Sequence, residues 1–189
     1  MKKTFWPFGI LLIILFGICL LVALVYISLI QPNLNDNSYM QKYRDVDKNI
    51  NVLLEDSKIF LDAYEAYLSV DTQVYEKDKL LPPYLIRAKK IGETSLDDSL
   101  GMQNKLYFSL VPKQDQIQIK ILQYQVFATR YYDKDYNNRA DLLIQASQLQ
   151  SFDFNPTKQG RYKIIVEITF LYNQRESKVF LQRDFIVKN

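Results

Sequence analysis

From Phe8 to Ile30 the chain runs through "FGILLIILFGICLLVALVYISLI" without one charged residue. A helix of that length, rising 1.5 Å per residue, spans the roughly 30 Å hydrocarbon core of a bilayer. Backbone amides in lipid must be satisfied within their own segment, so residues 8–30 are predicted to form a single transmembrane helix. The run is too long for the apolar part of a cleavable export signal, which holds about 7 to 15 residues. Its exit, Tyr26-Ile27-Ser28-Leu29-Ile30-Gln31-Pro32, offers no small-x-small cleavage site either. Pro7 suits a first helical turn, where a missing N–H costs nothing, and Pro32 marks the far end. Cys19 lies mid-run behind Ile18, unlike a lipid-modified cysteine, and reads as a small apolar filler.

Lys2, Lys3 and the terminal amine crowd one flank of this span, whereas Lys42 and Arg44 on the other are diluted by Asp36, Asp45 and Asp47. That bias predicts a cytoplasmic tail over residues 1–7, with everything after the span on the opposite side of the membrane. Phe5, Trp6 and Phe8 at one edge and Tyr26 at the other suit the headgroup layer of the lipid.

The chain has no histidine, and its one cysteine lies inside the apolar run. Ser-His-Asp and Cys-His catalysis need an imidazole, and zinc sites draw on His and Cys in sets of three or four. The soft donors outside the span are Met40 and Met102, far apart in sequence, so no metal residue is assigned. No disulfide can form within the outer part, whose stability must come from packing. A net charge of +3, with Lys and Arg scattered among acids, gives no basic stripe for nucleic acid. The acidic pairs Asp97-Asp98 and Glu55-Asp56 read as surface charge, so no catalytic residue is assigned and the expectation is a protein that is not an enzyme and has no cofactor.

Beyond the polar hinge "QPNLNDNS", apolar residues recur at helical spacing through Tyr39, Tyr43, Val46, Ile50, Leu53 and Phe60. With Ser38 as N-cap this predicts an amphipathic juxtamembrane helix over 38–61 whose stripe packs on its own domain, a partner-binding face being the alternative. A domain over 62–189 follows, opening on a strand near Tyr64 or a continuation of the helix. Residues 72–103 show no sustained period and read as a loop-rich insertion, in which Arg87, Lys89 and Lys90 beside Tyr84 are solvated charge. From Lys105 onward, alternation predicts strands through Leu106, Phe108 and Leu110, then Ile117, Ile119 and Ile121 and on into "YQVFATRYY". "LLIQASQLQSFDF" reads as one more strand or a short helix, and a hairpin with a moderately long loop over Asn173 to Ser177 closes the chain. Short strands without a helical repeat predict an all-β antiparallel, Ig-like sandwich.

Trp6-Pro7 before a single span, "NDNSYMQKYRDVDKNIN" after it, and a last hairpin opening "PTKQGRYKIIVEI" together resemble the FixH/CcoH family over nearly the whole chain. Trp6 and Pro7 match the family's entry motif, Tyr39, Lys42 and Tyr43 its aromatic and basic segment, and Gly160 and Tyr162 its final glycine-aromatic turn. The chain departs from the pattern at "PKQDQ", where the family has an Asp-Gly turn, and at Arg130-Tyr131, where it has Arg-Pro. The resemblance implies a single-pass bacterial inner-membrane protein with a periplasmic β-sandwich, serving assembly of a cbb3-type cytochrome c oxidase alongside a copper-transporting ATPase. The partner-binding residues expected on this basis are Trp6, Pro7, Gly9, Gly17, Tyr39, Lys42 and Tyr43, with Gly9, Gly17 and Ala23 letting a neighbouring helix approach closely. Two other readings stay open: a periplasmic copper-delivery protein using Met40, Met102 or carboxylates, and a membrane-tethered structural domain of an envelope complex.

Overall fold

The computed structural model describes residues 6–30, 35–36, 39, 41–73, 75–88, 99–113, 118–131 and 140–188. The chain divides into two units, Met1–Leu34 and Asn35–Asn189. The first holds one helix, α1 (Trp6–Ile30), in which every described side chain from Phe8 to Ile27 is exposed. Pro7 falls in its first turn, as expected. Length and composition make α1 a candidate membrane span over Phe8–Ile27.

The second unit opens with two short strands, β1 (Asn35–Asp36) and β2 (Gln41–Lys42), paired antiparallel. Helix α2 (Tyr43–Ala63) follows, starting later than the sequence pattern predicts; the expected cap Ser38 lies outside the described residues. Val46, Leu53 and Phe60, seven residues apart, are buried, and Arg44, Asp47, Lys48, Asn51, Glu55, Lys58 and Asp62 fill the exposed face. The amphipathic stripe therefore packs within its own unit. No glycine or proline ends α2. Its last carbonyls are taken up by one residue from the far end of a neighbouring strand: the Lys113 amide donates to Ala63 O at 2.8 Å and its ammonium to Leu61 O at 3.1 Å.

The remaining elements are β3 (Tyr64–Ser69), a 3-10 turn Glu76–Asp78, α3 (Pro83–Ala88), β4 (Ser99–Leu100), β5 (Asn104–Pro112), β6 (Lys120–Arg130), β7 (Asp141–Ala146), β8 (Ser151–Phe154), β9 (Gly160–Tyr172) and β10 (Arg175–Val187). Among the described residues they form a five-stranded sheet ordered β4-β10-β9-β6-β7 and a three-stranded sheet ordered β3-β5-β8. Pairing is antiparallel except between β4 and β10, so the larger sheet is mixed. The domain is largely β and sandwich-like, but it is neither purely antiparallel nor free of helix.

Its main core lies between the sheets, where Leu68 and Leu106 of the smaller meet Val126, Ile164, Val166, Ile168, Phe170, Leu181 and Phe185 of the larger. Phe60 of α2 joins this core, its ring 5.5 Å from that of Phe170. The other face of the larger sheet carries a second cluster, in which Val46 and Leu53 of α2 and the Tyr39 ring cover Ile165 and Phe180. Two-sided cover explains the consecutive apolar residues Ile164, Ile165 and Val166 in β9, of which Ile164 and Val166 face the main core and Ile165 the second cluster.

Three expectations are corrected here. The closing hairpin has a two-residue turn, since β9 and β10 pair from Tyr172↔Arg175 down to Gly160↔Val187. Asn173 and Gln174 have φ of 47° and 65°, the both-positive geometry that matches the twist of flanking strands. "LLIQASQLQSFDF" is two strands in two sheets: after β7 the chain turns a corner over 147–150, buries Leu149, and enters β8. The third correction concerns residues 72–103, whose described part is a seam and no loose insertion. Lys79 bridges to Tyr67 of β3, the Leu80 amide donates to Ala66 O at 2.8 Å, and Leu81 bridges to Gln182 of β10. Leu80 is fully buried between these contacts, so three consecutive residues join the edges of the two sheets.

Candidate functional site

Among the described residues, three polar clusters and the exposed surface of α1 are the features that carry chemistry. The seam holds the first cluster. Arg183 stands between Leu181 and Phe185 on the core side of β10, an apolar position by strand parity. Its guanidinium lies 2.9 Å from the Asp78 carboxylate, donates to Leu68 O of the opposite sheet, and stacks 4.9 Å from the Phe185 ring centre. Asp78 is 5% exposed by side chain and accepts from the Tyr75 amide at 2.9 Å through its second oxygen. Both charges are buried with their bonds made across two sheets, which suits a tie rod.

The second cluster lies on the outer face of the smaller sheet. Glu65 Oε1 sits 2.6 Å from Lys79 Nζ and 3.1 Å from Lys113 Nζ, and the Tyr67 hydroxyl donates to Glu65 Oε2 at 2.6 Å. The hydrogen bond from Lys79, then those from Tyr67 and Lys113, hold the Glu65 carboxyl down at about 2. Bonding to that carboxylate, reinforced by burial, pushes the Tyr67 hydroxyl up to about 12, and the Lys79 ammonium is likewise raised by Glu65. Neither Glu65 nor Tyr67 can exchange a proton usefully near neutral pH. Elsewhere burial raises the Tyr84 and Tyr124 hydroxyls, Asp62 adding to the first and Tyr64 to the second.

The third cluster lies at one end of the outer face of the larger sheet. Arg161 reaches Asp184 at 2.5 Å and lies 4.8 Å from the Tyr131 ring centre, with Lys163 at 5.3 Å from the same ring. The Tyr131 hydroxyl donates to Asp184 at 3.2 Å. Nearby, Gly160 has φ +136°, a backbone shape that favours glycine at the expected glycine-aromatic turn, and a Cβ there would come 3.1 Å from Arg130 Nε. Tyr162, its aromatic partner, is buried against Phe154 and donates to Lys158 O at 2.8 Å.

The residues that the sequence singles out belong to both units. Trp6 is 78% exposed at the start of α1. A Cβ at Gly9 or at Gly17 would meet nothing within 4 Å. At about 100° per residue Gly17 lies roughly 80° to one side of Gly9 around the helix and Ala23 roughly 40° to the other, so the three fall within an arc of about 120°. Tyr39 is 3% exposed, its ring set edge-on against Phe180 at 5.6 Å, and so it faces the interior of its own unit. Lys42 closes β2 and Tyr43 opens α2. Glu55 is surface charge as expected, but Asp56 is not: it is buried and accepts from Arg175 at 2.8 Å and from Ser177 at 3.1 Å, tying α2 to β10. Asp97-Asp98, Lys89, Lys90 and Met40 lie outside the described residues, and Met102 is 36% exposed. Among the described residues no group of three or more Cys, Asp or Glu is placed to hold a metal ion.

Sequence reading missed Asp78, Arg183 and the buried role of Asp56. For Arg183 a signal was present, a charge at core parity inside "VFLQRDFIV". For Asp56 it was weaker, an acid beside the buried stripe of its helix.

No known family model matches the chain, and no curated protein does. Solved structures similar to it include "Structure of T.fusca AA10A", at 15% identity over 48% of this chain and 50% of that one, with a TM-score of 0.28. Another is "Crystal structure of a LPMO from Kitasatospora papulosa", at 14% identity over 49% and 51%, also with a TM-score of 0.28. The chain thus spans about half the length of each. Likeness at that level carries no argument about fold or activity.

Proposed function

We propose that this chain is a non-enzymatic, single-pass protein of a bacterial inner membrane, with its amino terminus in the cytoplasm and an Ig-like domain in the periplasm. Its role is to assist assembly or stability of a cbb3-type cytochrome c oxidase by packing α1 on membrane subunits and docking the outer domain beside them. A copper-transporting ATPase is a further partner on this reading. The observation that carries the proposal is α1 itself, uncharged from Phe8 to Ile30 and exposed along its described length. Leaving some twenty apolar side chains in water costs on the order of tens of kcal/mol, so this surface belongs in lipid or against another apolar helix. The oxidase as partner is supported by the resemblance at Trp6-Pro7, Tyr39 to Tyr43 and Gly160 to Tyr162. Bonds within the chain support a second reading, a membrane-tethered structural domain: Glu65, Asp78 and Arg183 are each satisfied by partners in their own unit.

Deletion of the chain separates the two. Assembled oxidase, measured by haem spectra of membranes and by cytochrome c oxidation, is expected to fall several-fold and to return when the full chain is restored. Unchanged oxidase content and activity would remove the assembly reading and leave the structural one.

A further inference from the structure

We draw no further inference here: the strongest candidate, the outer edge of β7 with Leu142 exposed beside the half-buried Phe127, is interrupted by a register shift between Val126 and Phe127, and nothing in the structure shows what covers it.

Discussion

Asp78 and Arg183 bring opposite charges into a largely apolar interior. Removing one partner strands the other, which typically costs about 3–5 kcal/mol, whereas replacing both by apolar residues is often neutral. Asp78→Ala is therefore expected to lower the stability of the full chain in detergent by about 3–5 kcal/mol in urea titrations followed by tryptophan-independent far-UV signal. The pair Asp78→Leu with Arg183→Met should recover most of that loss. A cost below about 1 kcal/mol for Asp78→Ala would mean that water reaches the site and the tie is not buried. Glu65 makes a different, pH-dependent contribution. Its folded value is depressed from 4.5 to about 2, so its stabilisation is complete above pH 4.5 and is lost as pH falls from there toward 2. After allowance for solvent screening that contribution is about 1–2 kcal/mol. Stability measured between pH 5 and 2 should fall less steeply for Glu65→Gln than for the parent, and parallel curves would show that the Lys79 and Lys113 contacts add nothing.

At the scale of elements, legibility followed periodicity. A pure apolar run announced α1, a seven-residue stripe announced most of α2, and alternation announced β5, β6 and the β9–β10 hairpin, because each of these keeps one regular period along its length. The seam was unreadable for a physical reason. Lys79, Leu80 and Leu81 serve two different sheets in three residues, so no period of two or 3.6 can form, and the order comes entirely from β3 and β10. The corner between β7 and β8 was hidden in the same way, since the chain changes sheets after Ala146 without glycine or proline to mark it. The candidate docking residues were only half legible: sequence identifies Tyr39 as an aromatic on a stripe but cannot tell an outward stripe from one spent on Phe180. Leu80→Ala removes a fully buried side chain where two sheets meet and is expected to cost about 2–5 kcal/mol of unfolding free energy. A cost within about 0.5 kcal/mol, the range of surface substitutions, would restore the loose-insertion reading.

For the whole molecule, the two units pose separate physical problems. Asn35–Asn189 folds around its own core without disulfide or histidine, whereas Met1–Leu34 presents an apolar helix whose side chains are exposed over Phe8–Ile27. The proposed function requires that α1 remain in the bilayer as an uncut anchor that holds the β domain on the outer side. The most direct test is alkaline carbonate extraction of membranes, followed by external protease on spheroplasts with a tag at the carboxyl end. The predicted result is a chain that stays in the membrane pellet, still carries residues 6–30, and loses its tag to protease. A soluble chain trimmed near residue 30, or a tag that survives until the cells are lysed, would contradict it.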